Sequence, residues 1–146
     1  MGKRKPMTKV KQVLQSVRYA NDSIDRLKNL IEVIRSRAEK VTTGYSDAPG
    51  GGGTSDRSDV IAKLIETERR QEEAVKNWCE AIGIVQSMIG ELTDVNERAV
   101  LEYRYINCAD WMTISNAMHF SPQHLYRIHG RALYKLSKKM RGNESL

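Results

Sequence analysis

The stretch DWMTISNAMHFSPQHLYRIHGRALYKL, residues 110–136, decides how this chain is read. Asp110 precedes an apolar-patterned run and can accept hydrogen bonds from the free backbone N–H groups of a helix beginning at Trp111 and ending near Met118. His119 and Phe120 form a tight link. Ser121 then offers a second capping oxygen, and Pro122 stands at the first helical position, where a missing N–H sacrifices no hydrogen bond. The last helix is expected from Pro122 to about Met140. With His119 in the turn position that glycine commonly fills, the buried slots of a helix-turn-helix unit fall on Ile114, Met118, Phe120, Leu125 and Ile128, and the close-contact slot falls on Ser115. The first five are apolar and the sixth is small. Histidine enters the left-handed backbone region more readily than most residues, so the missing glycine is tolerable.

Charge adds a direction to this pattern. The chain has a net charge of +6, and residues 119–141 contain six Lys or Arg with no Asp or Glu. Residues 1–11 carry Lys3, Arg4, Lys5, Lys9 and Lys11, also without an acid, whereas acids outnumber bases in between. Separate basic patches point to docking on a polyanion, nucleic acid first. On a helical wheel of the last helix, Leu125, Ile128, Ala132 and Leu136 share one side, and Gln123, Arg127, Arg131, Tyr134 and Lys138 share the other. Gln123 and Arg127, one turn apart near the N-terminal end, are the expected base readers, with His124 beside them, because Gln can bridge adenine and Arg can bridge guanine. Ser121, Tyr126, Arg131, Tyr134, Lys135, Lys138, Lys139 and Arg141 are the expected phosphate contacts.

Outward from this core, Asp94 caps a helix over 95–106 that is expected to bury Val95, Ala99, Tyr103 and Ile106. Before it lie two long stripes. Val10, Val13, Val17, Ala20, Ile24, Leu27, Ile31, Ile34, Ala38 and Val41 recur at alternating steps of three and four over about five heptads. A second stripe comprises Ile61, Leu64, Glu68, Gln71, Val75, Trp78, Ile82, Val85, Ile89 and Leu92. Between them TTGYSDAPGGGGTSDRS, residues 42–58, has the composition of a flexible connector. The expected fold class is all-α: a long antiparallel helical hairpin over 10–92, then a three-helix helix-turn-helix domain over 93–141. A basic flexible segment, 1–9, and a tail, 142–146, flank them. Val17, Ile24, Leu27, Ile31, Ile34, Val75, Trp78, Ile82 and Val85 form the expected coiled-coil seam. Glu68 and Gln71 interrupt it opposite Ile31 and Ile34, so either they lean outward or the stripe meets a helix from another chain.

Other chemistries find no pattern. The glycine run lacks the Gly-Lys-Ser/Thr ending and flanking strand of a phosphate-binding loop. His119, His124 and His129 recur every five residues, which fans them around a helix rather than aiming them at one metal, so His124 and His129 read as neutral flank or DNA-facing donors. Glu66, Glu68, Glu72 and Glu73 read as a solvated face, Trp78 and Trp111 as core, and Cys79 and Cys108 as reduced thiols within helical segments. No catalytic constellation and no cofactor are expected. No apolar run reaches the length of a membrane span, and no apolar stretch follows the basic start, so the expected location is cytoplasmic.

The segment LEYRYINCADWMTISNAMHFSPQHLYRIHGRALYKL resembles domain four of bacterial sigma factors, which reads the −35 promoter element, in Arg104-Tyr105, Ile114-Ser115 and the closing RAL-x-KL. By position, the base-touching residues of that domain correspond to Pro122, Gln123 and Arg127, with proline in place of a charged residue. The order long helix, glycine-rich gap, long helix and RY…W…I…S…YRIHGRAL is similar to small phage and prophage proteins described as sigma-like or ArpU-type transcriptional regulators. That resemblance implies a regulator in a bacterial host. Its partners would be double-stranded DNA and host RNA polymerase, and its coiled coil would make a homo-oligomer, a dimer being favoured. The alternative is a DNA-recognition subunit of a phage packaging machine, similar to a small terminase; a third reading is a purely helical scaffold.

Overall fold

The computed structural model describes residues 6–43 and 53–144. They form α1 (Pro6–Thr43), α2 (Gly53–Gly90), α3 (Val95–Leu101), a π-helical segment (Glu102–Ile106), α4 (Trp111–Met118) and α5 (Pro122–Glu144), with no strand among the described residues. The protein is all-α. Helix boundaries correct the expected loops: α1 is already helical at Pro6, whose fixed φ suits a first turn, and α2 starts at Gly53 with Asp56 complementing its N-terminal dipole. Residues 6–9, 42–43 and 53–58 of the expected flexible segments are therefore helical, and residues 1–5 and 44–52 lie outside the described residues. α5 continues past Met140 to Glu144.

The chain divides into two compact units, one made of Met1–Tyr19 with Trp78–Leu146, the other of Ala20–Asn77. In the first, Val10, Leu14 and Val17 of α1 join Val85, Ile89 and Leu92, Leu101 and Tyr105, and Ala132, Leu133 and Leu136 of α5 in one buried cluster. Leu14, absent from the expected stripe, is fully buried, whereas Val13 is only partly covered. A two-helix seam buries a narrow stripe. Here α1 meets α3 and α5 as well as α2, and a wider face goes inside.

The face of α3 also differs from expectation. Val95 is 69% exposed, and the buried positions are Glu97, Val100, Leu101 and Tyr105. The difference begins in the first turn of α3, where Glu97 turns inward and Lys135 meets its carboxylate; only after Leu101 does the chain widen into the π-helical segment, closed by Asn107 N–H donating to the Glu102 carbonyl at 3.0 Å. Val100, Ile114, Leu125 and Ile128 make a second cluster, with Tyr103, Ala109, Trp111, Met118 and Phe120 packed around it. Cys108 is not helical; it sits at φ 56° between the π segment and α4.

In the second unit the helices run antiparallel, with Arg35 Nη2 of α1 3.0 Å from Glu68 Oε1 of α2. Ile31 and Ile34 are buried, Ile24 and Leu27 half-buried. The seam of α2 is rotated from the expected one: Val75 is exposed, as is Ile61, and Thr67 is buried instead. Turning α2 by one residue keeps the Glu68 carboxylate at the edge, where Arg35 reaches it, and puts inward a hydroxyl that donates to its own helix at Lys63 O, 2.7 Å away. Burying an unpaired carboxylate costs far more than burying a bonded hydroxyl. In the first unit Val17 and Val85 are fully buried as seam residues should be, and Trp78 and Ile82 are partly covered.

Candidate functional site

The outer side of α5 is the most cationic continuous surface the sequence singles out, and the residues before it fix how it is presented. Asp110 ends the irregular stretch by accepting from Thr113 N–H at 2.8 Å, which starts α4. That bond, with the Thr113 hydroxyl, holds the Asp110 carboxyl below its ordinary pKa. At the other end of α4, His119 takes the left-handed conformation, φ 58° and ψ 36°. The Ser115 hydroxyl donates to the Phe120 carbonyl at 2.6 Å, pinning the link, and Ser121 Oγ accepts from His124 N–H at 3.2 Å to cap α5. Leu125 and Ile128 then seat the first turns against Ile114.

With that face fixed, Ser121, Gln123, Tyr126, Arg127, Arg131, Tyr134, Lys135, Lys138, Lys139 and Arg141 are all exposed. Leu125, Ile128, Ala132 and Leu136 are buried. Gln123 and Arg127 thus share the open side near the start of α5. His124 is half-buried, its ring edge-on to Phe120 with centroids 4.8 Å apart. The Lys138 ammonium lies over the Tyr134 ring, 4.9 Å from its centroid.

Two of the expected phosphate contacts have intramolecular work. Lys135 Nζ lies 2.9 and 3.0 Å from the two carboxylate oxygens of Glu97, a residue only 2% exposed. Lys139 donates to the carbonyl of Glu91, just beyond α2, where a positive charge suits the end of a helix. The segment without acids in sequence is therefore partly neutralised in space, because α3 brings Glu97 to it. Asp94, the cap of α3, accepts from Glu97 N–H at 3.0 Å; that bond, and more weakly the nearby Lys135 and Arg131, hold its carboxyl below the usual range.

His129 is not a DNA-facing donor. Its Nε2 lies 2.7 Å from the Tyr105 hydroxyl, its ring stacks on Tyr105, and Trp111 meets it edge-on at 5.0 Å. Burial, followed by the fields of Lys11 and Arg104, lowers its pKa to about 4, so it stays neutral near pH 7. Burial likewise pushes the Tyr105 hydroxyl upward. Arg104 lies over the Trp111 ring, 4.8 Å from its centroid, and donates to the Ala109 carbonyl at 3.0 Å. The Arg-Tyr pair noted in the sequence is thus a brace holding the irregular 107–110 segment and α4. Glu97 as the partner of Lys135 was beyond sequence reasoning; a lone acid among apolar α3 positions was its only trace. Among the described residues no group of three or more His, Cys, Asp or Glu is placed to hold a metal. No described helix is long and apolar enough to cross a membrane.

Together these features define an all-helical protein whose last helix, set by a tight turn, offers an open cationic side. A family described as "Protein of unknown function (DUF1492)" matches residues 40–137, about two thirds of the chain, and the protein belongs to that family. No curated protein and no solved structure matches it.

Proposed function

We propose that this protein is a sequence-specific DNA-binding regulator of phage or prophage transcription, α4 and α5 acting as a helix-turn-helix. The observation that carries this reading is the start of α5: Gln123 and Arg127 stand open, one turn apart, on a helix whose opposite side is locked by Leu125 and Ile128. A side chain can read a base edge only if its helix is held rigidly at the groove. Tyr126, Arg131, Tyr134, Lys138 and Arg141 flank them as backbone contacts, Lys138 braced by Tyr134. In the second unit Leu30, Val33, Ile61, Ile65 and Val75 are exposed on a bare pair of helices. Exposed apolar side chains on both helices support self-association or a contact with host RNA polymerase, a dimer being favoured.

Binding to duplexes selected from a random pool tests the reading. Arg127→Ala is expected to relax preference at one base pair and cost about 1–3 kcal/mol. Lys138→Ala is expected to weaken all sequences alike and to flatten the salt dependence by about one unit of slope. Failure of the intact protein to retard any duplex at low salt would overturn the proposal. Solution mass separates it from the packaging alternative: a ring of eight or more copies, on the order of a small terminase, would favour packaging, as the same apolar side chains can close a ring.

A further inference from the structure

We propose that Lys11 and Arg18 of α1, with Arg104 of the π-helical segment, form a second cationic strip that grips the phosphate backbone of the same duplex beside α4. The inference rests on the DNA-binding reading and extends it to a helix outside the helix-turn-helix.

The first turns of α1 are fixed to α3 and α5: Val10, Leu14 and Val17 are all fully buried in the cluster that contains Leu101, Tyr105, Ala132 and Leu136. Lys11 and Arg18 each follow one of these buried valines. Seven residues apart, they lie on the same side of α1, roughly 10 Å from each other along its axis. Lys11 is exposed and Arg18 half-buried. Lys11 lies near enough to His129 for its field to act there, and Arg18 acts on both Arg104 and Tyr105, in keeping with the packing of Val10 and Val17 in the cluster that holds Tyr105. Arg104 is held at that corner over Trp111.

None of the ion pairs among the described residues uses Lys11, Arg18 or Arg104, and the bond by which Arg104 braces the Ala109 carbonyl engages its Nη1. The carboxylate acting on Arg104 is Asp110, which is occupied in capping α4. Burial and then the like charge of Arg18 depress the Arg104 pKa, an electrostatic cost that an incoming anion would relieve. Over about 10 Å of duplex axis one DNA strand presents roughly three phosphates, enough for the strip to meet. In helix-turn-helix docking the first helix of the pair crosses the backbone while the second enters the groove, which puts the neighbourhood of α4 against phosphates.

The test is the salt dependence of binding to a random-sequence duplex, measured on the full chain. Lys11→Gln/Arg18→Gln is expected to make the slope of log affinity against log salt shallower by about 1.8, with preference for the selected site intact. Lys11→Gln alone, at an exposed position, should remove about half of that and covers the case in which the double variant folds poorly. Lys28→Gln/Lys63→Gln removes the same charge from the second unit and should leave the slope unchanged. An unaltered slope in Lys11→Gln, or an equal loss in the Lys28/Lys63 control, overturns the strip while leaving the DNA-binding reading standing. If the unmodified protein binds no duplex at all, that reading falls and takes the strip with it.

Discussion

At the scale of single residues, side chains that look alike in sequence do different work. Lys135 and Lys138 sit one turn apart on α5, yet Lys135 closes on a buried Glu97 and Lys138 stays open over Tyr134. Lys135→Met should therefore destabilise the fold by about 1–3 kcal/mol, discounted for the exposed lysine, because a buried carboxylate loses its partner. Lys138→Ala should leave stability unchanged. Urea denaturation of the two variants checks this, and equal stabilities would disprove the division. His129 supplies a pH signature. Its folded pKa of about 4 lies below the ordinary value of 6.5, so between these limits the unfolded chain binds the extra proton. Stability should be full above about pH 6.5 and decline as pH falls toward 4. In His129→Gln, which can still hydrogen-bond Tyr105, that part of the decline should vanish from denaturation midpoints measured across the range. Parallel curves for both proteins would argue against it.

At the scale of elements, the link between α4 and α5 combines a strained residue with a fastening. His119→Val should cost about 1–2 kcal/mol, since a β-branched residue fits poorly at positive φ, whereas His119→Gly should be neutral or slightly stabilising. Ser115→Ala should cost about 1 kcal/mol through loss of the bond to the Phe120 carbonyl. Thermal melts rank the three, and any other order would mean the turn is held elsewhere. The α5 wheel was legible in sequence because a 3.6-residue period and one-sided burial leave a direct record: every residue placed inward is buried and every one placed outward is exposed. The 95–106 helix was not, since its inward face is set from the first turn by Glu97, which meets Lys135 arriving from α5, and the later π turn carries no composition mark. The buried side of α2 lies one residue from its sequence stripe because that stripe mixes apolar and polar groups, and the choice between Thr67 and Glu68 depends on where Arg35 stands.

At the scale of the whole molecule, the start of α1 belongs with the C-terminal helices. Leu14→Ala should destabilise α3 to α5 as well as α1, by about 2–5 kcal/mol, since it opens a cavity in a core shared by five helical segments. Hydrogen exchange at α5 amides reads this directly. Faster exchange confined to α1 would show that the cluster does not act as one. By contrast, Ile31→Asp should act on the second unit, where Ile31 is buried, and leave exchange in α5 unaffected.

The sequence by itself determined the helices and most of their ends, because periodicity, caps and prolines act over a few residues. It also determined the turn at His119 and which side of α5 goes inside. Only the tertiary structure decided which charges stay available, since Lys135 meets Glu97 across 38 positions of chain and a pairing at that distance leaves no local pattern. It likewise decided that Leu14 is core and that His129 is a neutral brace, because both depend on which helices arrive from elsewhere to cover them.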